Sequence, residues 1–203
     1  MSYYPRSIFM KKLFLILILA LLPFTFFSAP FGLKMGMTLT EIATVCNNKK
    51  PEHVENDCYY VFPTKTHPLF KQYVAFVSKE KGLYCLKAVT DDIKTNNYGA
   101  EIKNAFSTIK ERISKTYGDP KVIDEIASDS LFTGEQYWTH SLSQGARTYA
   151  AIWPSNSSQQ LKDDLTCVSI FTSAQIAPQV GWIILEYDFS NMKSVEDEQD
   201  EVF

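Results

Sequence analysis

Arginine is scarce in this chain: only Arg6, Arg112 and Arg147 occur in 203 residues, and the lysines are scattered. No basic stripe exists to neutralise a phosphate backbone, so nucleic acid is excluded as a partner. Histidine is equally thin. His53, His67 and His140 include no pair at helical i, i+4 spacing, which removes a zincin-type metal site. The eight glycines form neither G-x-G-x-x-G nor G-x-x-x-x-G-K-[ST], so dinucleotide and phosphate cradles are missing. There is no G-x-S-x-G nucleophile elbow and no C-x-x-C redox or zinc knuckle. Asp91-Asp92 and Asp163-Asp164 lack the alternating oxygen ligands around a glycine turn that calcium needs. The sequence therefore offers no catalytic, cofactor or metal assignment.

What is present describes a folding chain. Hydrophobic residues make up 45% and charged residues 21%, too apolar and too weakly charged for a disordered polypeptide. A mean hydropathy of −0.14 is too low for a polytopic membrane protein, so at most one segment spans. Much of the apolar excess lies near the start. Arg6, Lys11 and Lys12 precede the uncharged run Leu13 to Phe27, which as a helix measures about 22 Å against a hydrocarbon core of roughly 30 Å. A basic stretch, a short apolar run and small residues at Ser28 and Ala29 are the pattern of a signal peptide over residues 1–29. The bulky Phe27 keeps an uncleaved inner-membrane anchor as the alternative, with membrane contact only through that segment. A buried core helix is a third reading.

Residues 1–29 hold three of the 20 basic side chains and none of the 23 acidic ones, so the remainder carries a net charge of −6. Five of those acids, Glu196, Asp197, Glu198, Asp200 and Glu201, belong to a tail over residues 191–203. The tail reads either as a solvated end or as a docking segment for a basic partner. Cys46, Cys58, Cys85 and Cys167 all follow the export segment. An even number in an exported chain is the pattern of disulfides, with Cys46–Cys58 as a local bridge and Cys85–Cys167 joining distant strands. The other reading is four free cysteines acting as small hydrophobes.

Residues 30–190 form the expected α+β domain. Thr38-Leu-Thr-Glu41 is a capping box, with Met37 and Ile42 as its staple, and predicts a helix from Leu39 ending before Pro51. Strands follow at 59–62, 73–78 and 83–90. Ile102, Phe106, Ile109, Ile113 and Tyr117 make one apolar stripe, predicting a helix over 98–117 that Asn96 or Asn97 caps and Gly118 with Pro120 stops. A second capping box, Thr133-Gly-Glu-Gln136, predicts a short helix carrying Tyr137, Trp138 and Leu142. Three more strands are expected at 148–153, 165–173 and 182–189. The string α-βββ-α-α-βββ fits either two α-βββ halves or one continuous antiparallel sheet of five or six strands with packed helices.

His67 reads as a loop-lining residue and His140 as a packing residue, each with catalysis as its other reading. Arg147 sits between Gly145 and a predicted strand, near Trp138 and Trp153. It either contacts a carboxylate ligand or partner, with Trp138 beside it, or pairs with Asp124 or Asp129.

Phe31-Gly-Leu-Lys-Met-Gly-Met-Thr-Leu-Thr-Glu-Ile42 resembles the start of many small exported bacterial proteins. With His67-Pro-Leu-Phe70, Gly82-Leu83, Asn97-Tyr-Gly99 and Leu185-Glu-Tyr-Asp-Phe189, the chain resembles an uncharacterised family of exported proteobacterial proteins. Gly36 to Glu41 and Tyr117-Gly-Asp-Pro120 are similar to the SmpA/BamE-like group, in which a helical pair packs on a three-stranded antiparallel sheet. The resemblance implies export and an α+β fold but no activity. No cysteine directly follows the apolar run, so the lipid anchor of that group is not expected. The reading is a periplasmic, non-catalytic envelope component that binds another envelope protein. The alternatives are a small-ligand carrier, with Tyr137, Trp138 and Trp153 lining its pocket, or an enzyme whose site forms only in three dimensions.

Overall fold

A computed structural model describes residues 29–156, 160–177 and 179–200. The expected export segment, apart from Ala29, and the last three residues of the tail lie outside them. In chain order the elements are α1 (Leu39–Val45), β1 (Glu52–Glu55), β2 (Cys58–Val61), β3 (Phe70–Ser78), β4 (Gly82–Thr90), β5 (Ile93–Lys94), α2 (Ala100–Tyr117), β6 (Lys121–Ile126), α3 (Trp138–Ser143), β7 (Arg147–Pro154), β8 (Leu165–Gln175), β9 (Val180–Phe189) and α4 (Met192–Asp200). The fold is α+β, with an antiparallel sheet running β1-β2-β3-β4-β9-β8-β7-β6 and β5 paired to β9.

The two readings of the element string converge in this sheet. Each half is a helix followed by a four-stranded meander, α1 with β1–β4 and α2 with β6–β9. The halves join through their last strands, because β4 pairs antiparallel with β9. The sheet is continuous, and it is wider than five or six strands because edge strands β1 and β6 extend it.

Local chemistry starts α1 and stops α2 as the sequence indicates. Thr38 Oγ1 accepts from the Glu41 amide at 3.3 Å, and the Glu41 carboxylate accepts from the Thr38 amide at 2.8 Å. Gly99, rather than the expected Asn96 or Asn97, occupies the cap position of α2 without a side-chain cap bond. Asn96 accepts from the Tyr98 amide in the preceding turn, and Gly118 ends α2 at φ 79°. The second capping box does not form. A 3₁₀ turn over Glu135–Tyr137 precedes α3, and Gly134 occupies the cap position without a side-chain bond.

Ile102, Phe106, Ile109 and Ile113 of α2 are buried as the stripe predicts. Phe106, Ile109 and Ile113 belong to one core with Leu86 of β4, Leu185 and Tyr187 of β9, Val168 and Ile170 of β8, and Trp153 of β7. Ile102 joins Trp138 and Leu142 of α3 in a smaller cluster. The strand residues in these clusters alternate with residues on the opposite side, so one face of the sheet carries the core. The tail is helical where it is described: α4 follows β9, lies against β4, and buries Val195.

Candidate functional site

Because side chains alternate along a strand, the register fixes what the opposite face presents. One cross-sheet row reads Cys58–Phe76–Cys85–Asp188–Cys167. The next reads Tyr60–Val74–Lys87–Glu186–Ser169–Ile152. A third reads Val89–Ile184–Phe171–Ala150. Val74, Phe76, Val89, Ile152, Phe171, Trp182 and Ile184 are all half-buried, and none belongs to a described core cluster. The face is therefore an apolar surface with a polar group set into it.

That group is built by the pairing of β4 with β9. Cys85 Sγ lies 3.6 Å from Glu186 Oε1, and Lys87 Nζ lies 3.1 Å from Glu186 Oε2. Lys87 also stands 5.2 Å from the centre of the Phe76 ring. One ligand atom each from Cys85, Glu186 and Asp188 falls within 4.8 Å of the others. Burial, reinforced by the Glu186 charge, pushes the Asp188 carboxyl up to about 6. Burial and the two carboxylates push the Cys85 thiol up strongly, and burial with Asp188 carries Cys167 up to about 11. Raised thiols are protonated at neutral pH, so neither cysteine is poised as a nucleophile.

The expected disulfides are not present, since all four cysteines are free. Cys85 and Cys167 each pair with Asp188 from opposite sides, which leaves β9 between them. Two strand spacings come to about 9–10 Å, beyond the Cα separation of about 7 Å that a disulfide tolerates. Cys46 belongs to the helix-side core with Val61, whereas Cys58 pairs with Phe76 on the open face. The sheet separates that pair.

Arg147 and Trp138 are brought together inside the fold. The guanidinium lies 5.7 Å from the centre of the Trp138 ring, bonds Asp124, and reaches Ser141 Oγ at 3.4 Å. Arg147 is 7% exposed, and Trp138 and Trp153 are fully buried, the latter donating to the Gly118 carbonyl at 2.7 Å. Tyr137 lies at the surface. His53 bonds the Asn56 carbonyl, and the His140 ring packs 4.1 Å from that of Phe132. His67 Nε2 accepts from Arg112 Nη1 at 2.9 Å, at the rim of a cavity of about 270 Å³ lined by Pro30, Phe31, Ile109 and Tyr187.

Reading along the chain missed the Cys85–Glu186–Asp188 group, in which Cys85 lies 101 residues before Glu186 and meets the two carboxylates only through register. The available signal was the alternation Trp182, Ile184, Glu186, Asp188, which puts two carboxylates on one otherwise apolar strand face.

The chain matches no family model, and no curated protein or solved structure is significantly similar to it. Among the described residues no helix is long and apolar enough to cross a membrane.

Proposed function

We propose that this is an exported, periplasmic envelope protein that acts without catalysis, by binding another protein through the open face of its sheet. The observation that carries this reading is the row Val89–Ile184–Phe171, flanked by Trp182 and Ile152, half-buried on the face opposite α2 and α3. Contiguous apolar surface on a folded protein favours a partner that covers it. Large aromatic and aliphatic anchors around a paired charged group, here Lys87 and Glu186, suit such an interface. The basic and apolar start of the chain supports export, with an inner-membrane anchor as the alternative.

Affinity capture of the tagged full chain from cell envelopes tests the reading when run beside Phe171→Asp. A stoichiometric partner recovered by the native chain and lost by the folded variant supports it. Recovery of the chain alone, or of the same partner by both, contradicts it. A second reading, a small-ligand carrier, draws on the cavity beside Arg112 and His67, whose apolar floor and cationic rim suit a small organic anion. Binding of a carboxylate probe that Arg112→Gln abolishes would favour it.

A further inference from the structure

Two carboxylates spaced by two residues on a strand point the same way, and Glu186 and Asp188 do so in the middle of the open face. Cys85 is the cross-strand partner of Asp188, so its thiol points to that side too. Lys87 offsets the charge of Glu186 from 3.1 Å. Asp188 has no such ion pair among those described. Its carboxyl interacts with the Cys85 thiol and the Glu186 carboxyl, but its Oδ1 is buried without a hydrogen-bond partner of good geometry. A buried acceptor oxygen in this state gains from a cation that reaches it.

We propose that Cys85, Glu186 and Asp188 bind one divalent cation of the zinc class, with water in the fourth position. The donor set selects the metal. Zinc takes thiolate sulfur at about 2.3 Å and carboxylate oxygen at about 2.0–2.2 Å, tetrahedrally, and open sites keep three protein ligands and a water. Such bond lengths place neighbouring donors about 3.3–3.8 Å apart, so ligands now within 4.8 Å of one another close by about 1 Å of side-chain rotation. Calcium and magnesium favour shells of six or more oxygens and would leave the thiol unused. On binding, the metal replaces the proton on Cys85 Sγ, and that proton leaves to solvent. The site is independent of the partner reading: the metal holds the centre of the face whether or not a protein covers it.

The test uses the purified full chain titrated with Co²⁺ as a spectroscopic stand-in and then with Zn²⁺. The expected result is one metal per chain, a thiolate-to-cobalt charge-transfer band, and release of the cobalt by zinc. Cys85→Ser removes the band, Asp188→Asn weakens binding at least about tenfold, and Cys58→Ser, two row positions from Cys85 beyond Phe76, binds as the native chain does. Asp188→Asn is close to isosteric, so it decides the matter if Cys85→Ser fails to fold. The proposal is overturned if the native chain takes up no stoichiometric metal, or if Asp188→Asn binds with undiminished affinity.

Discussion

Cys85 and Cys167 stand on either side of Asp188 in a single cross-sheet row, each its partner on a different neighbouring strand. With Cys58 two strands beyond Cys85, the open face carries three thiols, each separated from the next by an intervening strand. Antiparallel pairing keeps them apart in the native state, whatever the redox potential around the protein.

The first prediction follows from that spacing. Protein purified without reductant, denatured and alkylated should add four alkyl groups per chain, read by intact mass. In the native state Cys58 and Cys167 should react first, because Cys46 and Cys85 are each only 2% exposed. A mass showing two or no alkyl groups would mean that disulfides form and that the register is wrong.

The two faces of the sheet should differ in what an aromatic ring contributes. Phe106 is fully buried with its ring 4.4 Å from that of Tyr149, so Phe106→Ala should cost about 3–5 kcal/mol. Phe171 is half-exposed on the open face, and Phe171→Ala should cost about 1 kcal/mol. Urea midpoints compare the two, and similar losses would show that the open face is packed.

Gly82 begins β4 at φ +68°, where a Cβ would stand 2.1 Å from the Gly36 carbonyl oxygen. Amide bonds from Gly36 to the Leu83 carbonyl and from Leu83 to the Met37 carbonyl hold this approach, each at 2.9 Å. Gly82→Ala meets both a left-handed backbone and a backbone clash, and should cost on the order of 3 kcal/mol. Thermal unfolding measures it.

His67 should make the fold sensitive to mild acid. Burial, and then the charge of Arg112, hold its imidazole below the ordinary histidine value near 6.5. Arg112 only donates, so the bond to Nε2 requires the neutral ring. A lowered histidine takes up its proton later when folded than when unfolded. Its contribution is therefore present above about pH 6.5 and is lost as pH falls through that value towards the lower folded one. His67→Gln should lose less stability than the native chain between about pH 7.5 and about pH 5.5, read as the difference in urea midpoints. Parallel losses would contradict this.

How much of this was legible in the sequence depended on how local the signal was. The stripe from Ile102 to Ile113 needs only the helical period, and all of it is buried. The interior strands needed only their aromatic and β-branched runs. β1, Glu-His-Val-Glu, is exposed at all four positions, and β6 is almost as open, so neither edge strand carries an alternation to read. α4 was hidden because its acidic residues surround a single buried valine, Val195. The pairing of β4 with β9 connects the two halves of the chain. No local pattern specifies it, and it is this pairing that assembles Cys85, Glu186 and Asp188 and aligns Val89 with Ile184.

The most direct test of the open face as the working surface is photocrosslinking in intact cells, with a photoreactive side chain placed at Ile184 or, as a control, at the exposed Thr108 of α2. The account predicts one discrete protein adduct from Ile184 and none from Thr108; no adduct from Ile184, or the same adduct from both positions, would contradict it.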